Sequence, residues 1–165
     1  MSVVFIIDNQ QFLRISVFDC QALTPSGARI DISNTKEPMV FEIDLIERID
    51  EASKEDGLKE YYIALSIDPF ESVPIGPVVD HEDPPRFSFA IPTYKTHIFS
   101  KDELARTDNI AFSLFIGKLS LGKNHIEVIE GYIPASISMK SHPDLTEFHA
   151  EVERFFGQLE LHLIN

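Results

Sequence analysis

A chain of 165 residues with 44% hydrophobic and 25% charged content has the make-up of one globular domain. That length is enough to bury roughly 70% of the surface that the unfolded form exposes. Its 27 acidic against 14 basic residues leave a formal charge of −13, which repels phosphate backbones and anionic leaflets and so argues against nucleic-acid binding and polybasic membrane docking.

No apolar run approaches the roughly 20 residues of a membrane helix. The apolar block Val3–Ile7 has no basic residue before it, unlike a secretory signal. The single cysteine, Cys20, rules out an internal disulfide framework and fits a reducing, cytoplasmic setting.

In chain order, strands are expected at Val3–Asp8, at Phe12–Asp19 with Leu13, Ile15 and Val17 facing inward, and at Met39–Asp44. A helix is expected from Leu45 to Glu55, stopped by Gly57. Ile63, Leu65 and Ile67 alternate with Ala64 and Ser66 in a further strand, and Phe87–Pro92 follows the turn residues Asp83-Pro84-Pro85. Ser100 and Glu103 have the spacing of a capping box and predict a single helical turn.

Strands at Ile110–Gly117 and His125–Ile133 come next, with Gly117–Gly122 as the connection between them. Leu145, Phe148, Val152 and Phe155 then fall on one face of a helix from Asp144 to Phe156, ended by Gly157. Leu159, Leu161 and Leu163 alternate with Glu160 and His162 as a last strand. About eight strands and few helices predict an all-β chain of two packed antiparallel sheets, with one or two short inserted helices.

Little in the sequence carries chemistry. The stretch GKLSLGKN, Gly117 to Asn124, has the glycines and lysine of a phosphate-binding loop. It lacks the Ser or Thr that holds magnesium, and no helix begins at Lys123, whose orphan N–H groups would bind the anion. No G-x-S-x-G elbow is present, and the histidines match no zinc spacing. Cys20 has no basic neighbour in sequence to activate it. The densest polar cluster, Asp80-His81-Glu82-Asp83, reads as a solvated acidic turn, because neighbours on extended chain point to opposite faces and at most two could share a metal. No catalytic residue, metal site or cofactor is assigned.

Phe12 to Leu23, Glu130 to Ile137 and Gly157 to Leu163 are similar to the first, penultimate and last strands of C2 domains, the eight-stranded β-sandwiches of membrane docking and scaffolding. Tyr62–Ile67, Gly76–Phe87 with its Val-Asp-His and Asp-x-Pro-x-Phe pattern, and Gly131–Ile133 resemble the N-terminal C2 domains of tandem-C2 centrosomal scaffolds active in centriole elongation and ciliogenesis. The resemblance spans most of the chain, which is expected to be a single domain over residues 1–165, and departs from the pattern in an insertion at about 28–57.

It implies a protein-interaction module, not an enzyme, at the centrosome or basal body, with a centriolar scaffold protein or tubulin as partner. Asp80, His81, Glu82 and Asp83 are the candidate partner contacts. In calcium-binding members, the loop corresponding to 118–124 carries aspartates. Here it has no carboxylate and two lysines, and Asp19 alone cannot supply six to eight oxygens, so the resemblance implies a calcium-independent form. The alternative is a peripheral membrane-binding C2 domain, with Lys118, Leu119, Leu121 and Lys123 as its tip.

Overall fold

The structure, a computed structural model, describes residues 1–33, 37–54, 57–81, 83–106 and 108–163. Its strands are β1 (Ser2–Ile7), β2 (Phe12–Leu23), β3 (Arg29–Ile32), β4 (Met39–Asp44), β5 (Lys59–Val79), β6 (Arg86–Ser100), β7 (Ser113–Gly122) and β8 (His125–Val128). The α-helices are α1 (Ile46–Ser53), α2 (Lys101–Leu104) and α3 (Pro143–Leu163).

The strands form two four-stranded antiparallel sheets. In the first, β2 pairs with β1, β3 and β4; in the second the order is β6-β5-β7-β8. The inward residues of β2 (Leu13, Ile15, Val17) and of β5 (Ile63, Leu65, Ile67) belong to one core with Leu119 and Leu121 of β7, so the expected two-sheet all-β packing is what forms. A hydrogen bond from the Asp31 N–H to the Tyr94 hydroxyl, 3.3 Å, ties β3 to β6 across the sheets.

Residues 28–57, expected as an insertion, are part of this body. They supply β3 and β4 to the first sheet, and α1 buries Ile49 and Ala52. The α1 bounds fall within the expected helix, whose Glu55 lies outside the described residues, and Gly57 follows at φ 128°, a conformation only glycine adopts cheaply. At α2 the expected capping box forms: the Ser100 hydroxyl accepts from the Glu103 N–H and the Glu103 carboxylate accepts from the Ser100 N–H.

Four expectations fail in the carboxyl-terminal part. The stretch 117–122 is not a turn but the second half of β7, paired with β5 at Lys59–Ile63 and with β8. The reversal lies at Lys123-Asn124, inside the Gly122–His125 pair, and it too has no carboxylate. Gly117 is glycine for proximity, since a Cβ there would come within 2.8 Å of the Phe5 ring of β1.

The strand expected at Leu159–Leu163 is the end of α3, which runs through Gly157 without a break. Its Leu-Glu-Leu alternation also suits a helix, because Gln, Leu and Glu are good helix formers. Extending a helix already nucleated is far cheaper than starting a strand beside no partner. β8 likewise ends at Val128, short of the expected Ile133, so neither Glu130–Ile137 nor Gly157–Leu163, the stretches that resemble the penultimate and last C2 strands, is a strand, and the 110–112 part of the expected seventh strand is a 3₁₀ turn.

Candidate docking arm

β5 is paired to β7 only as far as Ser66, but to β6 as far as Val79. Beyond Asp68 the two strands therefore leave the sandwich as a two-stranded ribbon, about 25 Å long from Ser72 to Val79 at roughly 3.3 Å per residue. Its base is braced. Asp68 accepts backbone N–H bonds from Phe70 (3.0 Å) and Glu71 (3.2 Å) across the bulge, and Lys95 of β6 holds the Glu71 carboxylate at 2.8 Å. The Glu71 hydrogen bond and charge raise the Lys95 pKa, so the link persists through neutral pH.

The register decides which side chains share a face. Phe87, Phe89 and Ile91 are alternate residues of β6 and point the same way, and their cross-strand partners are Val78, Ile75 and Val73. All six are apolar and lie between 38% and 66% exposed. Alternation in β5 would have put Val78 on the opposite face to Ile75, but the bulge between them restores it. Gly76 makes that bulge possible with φ 89°, and a Cβ there would press on the Phe89 ring at 3.0 Å.

The reverse face is polar and proline-rich, with the pairs Ser72/Pro92 and Pro74/Ala90, and with Ser88 donating to the Pro77 carbonyl at 2.8 Å. Pro74, Pro77 and Pro92 remove N–H groups from the ribbon edges, which blunts them against addition of another strand. What the ribbon offers is its apolar face.

The candidate contacts from the sequence lie at the tip of this arm. Asp80, His81 and Asp83 are exposed there, and Glu82 lies outside the described residues. Asp80 and Asp83 make no ion pair among the described residues, which leaves their carboxylates turned to solvent. Among the described residues no three His, Cys, Asp or Glu side chains converge as metal ligands. The tip stands out in the sequence by its charge, and the face beside it does not. Phe87–Pro92 reads like any half-buried strand, and it is bare because among the described residues the outer part of β5 pairs with β6 alone.

The membrane tip is corrected. Leu119 and Leu121 are fully buried in β7, so they cannot enter a lipid surface. Lys118 leaves the same strand on its other side, where it lies 4.8 Å from the Tyr62 ring centroid and 3.5 Å from the Glu60 carboxylate, and only Lys123 stands at the reversal. None of the described helices is long and apolar enough to cross a membrane.

A cavity of about 570 Å³ lies between β2, β3 and residues 134–142, lined in part by Cys20, Arg29, Lys140 and His142. Burial pushes the Cys20 thiol up to about 11, so it is a poor nucleophile near neutral pH. His142 is engaged through Nδ1, which accepts the Asp144 N–H at 3.3 Å.

Comparison with protein-family models, curated proteins and solved structures finds no match to this chain.

Proposed function

We propose that this chain is a calcium-independent C2-like module that binds another protein through the face of its β5–β6 arm, without catalysis. The observation that carries the reading is the apolar face made by Val73, Ile75, Val78, Phe87, Phe89 and Ile91 on a braced ribbon that leaves the sandwich. An exposed apolar patch of this continuity costs solubility and is a common mark of an interaction site. The resemblance of Gly76–Phe87 to centrosomal C2 domains falls on this same arm, which links the proposed setting (centriole, basal body or cilium) to one surface. A centriolar scaffold protein is the partner that fits better than tubulin, because a domain of charge −13 is not drawn to the acidic outer face of a microtubule by general electrostatics.

The test is localisation. A tagged copy in dividing or ciliated cells is expected to concentrate at centrosomes and basal bodies, and the double variant Phe87→Ser/Phe89→Ser to spread through the cell with its circular dichroism unchanged. Uniform distribution of the wild type overturns the setting. Localisation indifferent to the double variant overturns the arm.

A further inference from the structure

We propose that α3 is a second docking surface, separate from the arm, and that its occupant is a basic amphipathic helix of another protein. The helix is fastened to the body near its start, where the Thr146 hydroxyl donates to the carbonyls of Met139 (3.1 Å) and His142 (3.2 Å). Farther along, Phe148, Phe155 and Phe156 are each more than half exposed, and Leu159 is 42% exposed.

These side chains form a stripe. At 100° per residue, Leu145, Phe148, Val152, Phe155, Phe156 and Leu159 fall within an arc of roughly 100°. The steps 145, 148, 152, 155, 159 are the alternating threes and fours that let one helix seat its side chains between those of another. The Phe155 and Phe156 rings stack edge to face, 5.7 Å between centroids, and widen the stripe at its middle.

Charge selects the occupant. One border of the stripe carries Asp144 and Glu151; the other carries Glu153, with His149 at 3.7 Å from its carboxylate, and Glu160, while Glu147 lies on the far side with Arg154. Arg154, the helix's one Lys or Arg, lies on the opposite side. In a pair of helices the residues bordering the stripe face those of the partner. A second copy, parallel or antiparallel, would set carboxylates against carboxylates along both borders, and an anionic leaflet would be repelled in the same way. A helix with an apolar stripe and Lys or Arg beside it meets both requirements.

The full chain is titrated with a designed three-heptad peptide carrying Leu at its two core positions and Lys or Arg at the flanking ones, and with the same peptide carrying Glu there. Binding is read by fluorescence anisotropy. The basic peptide is expected to bind about tenfold or more tightly than the acidic one, the combined effect of several exposed ion pairs. Phe148→Ala/Phe155→Ala, which keeps helix propensity, is expected to abolish binding, and Glu151→Lys/Glu153→Lys/Glu160→Lys to reverse the preference between the two peptides.

No binding of the basic peptide overturns the proposal, as does binding that the Phe variant leaves intact, which would be attraction to acidic surface in general. A dimer of the chain in light scattering that the Phe variant dissolves would assign the stripe to a second copy. Sedimentation with phosphatidylserine vesicles, lost in the same variant, would assign it to membrane. Arm variants leave every one of these readouts unchanged, so failure here and failure of the arm are distinguishable.

Discussion

Replacing Gly117 by alanine tests why a glycine stands inside a buried strand. An ideal Cβ at this position would lie 2.8 Å from Phe5 Cζ, 3.2 Å from Phe5 Cε2 and 3.4 Å from Ile63 Cδ1. Gly117 is not among the positive-φ glycines, so sterics alone set the cost. In open surroundings the substitution would stabilise by about 0.4–1 kcal/mol, because the unfolded chain loses freedom. Here the methyl must push the Phe5 ring or β1 outward, and overpacking of this kind costs about 1–3 kcal/mol, leaving a net loss of about 0.5–2 kcal/mol.

Urea unfolding of the wild type, Gly117→Ala, Phe5→Leu and the double variant gives the number. In the double variant the methyl takes space that the ring has vacated, so the two losses should fall short of additive by at least about 0.5 kcal/mol, with an unchanged m-value. A Gly117→Ala protein as stable as the wild type, or strictly additive losses, would show that the close approach of β1 to β7 is not what the glycine serves.

Cys20, pushed up to about 11, holds roughly one thiolate per thousand molecules at pH 8, so it should react with a disulfide reagent only on unfolding; rapid reaction of the native chain refutes its burial. Partial desolvation of the otherwise exposed ring, with Lys95 adding to it, holds His97 below its ordinary pKa of 6.5. The unfolded chain therefore takes that proton first, so stability should decline as pH falls below about 6.5, and His97→Gln should flatten the decline; an identical pH profile for the variant refutes the assignment. Gly157 meets nothing within 4 Å of an added Cβ and lies inside α3, so Gly157→Ala should raise helicity and stabilise the helix by about 1 kcal/mol, measured by far-ultraviolet circular dichroism; a loss of helicity would mean that the helix ends there after all.

The sequence made the sandwich legible wherever one face of a strand is buried. Leu13, Ile15 and Val17 alternate because β2 lies between a core and solvent, and Ile63, Leu65 and Ile67 do so for the same reason. Period two misled at Leu159–Leu163, because three leucines spaced by two are compatible with either state and only the helix upstream decides. Glycines misled at 117 and 122, where turn freedom and the need to admit a neighbour leave the same residue in the sequence; a Cβ at Gly122 would meet Leu58 Cδ2 at 2.7 Å. Of the proposed site, the acidic tip at Asp80 and Asp83 was visible as composition. The face beside it was not, since a bulge at Gly76 sets which residues share it and a missing neighbour strand sets that they are bare.

An all-β body with two bare apolar surfaces ought to aggregate, and the distribution of charge bears on why it need not. Apolar attraction is non-directional and would pair either surface with any other, including its own copy. Carboxylates border the stripe of α3 on both sides, so self-pairing there brings like charges together wherever it buries the apolar groups, and Asp80 and Asp83 add acidic charge at the end of the arm face. Each such contact costs about 1 kcal/mol at 4 Å in a solvent-like dielectric, comparable to what burying the rest of a half-exposed valine or leucine returns. The two effects nearly cancel for an acidic partner and add for a basic one. Under the two proposals above, the acidic excess would serve partner selection more than surplus solubility: apolar faces would supply the attraction, and the charges beside them would decide which molecules can use it.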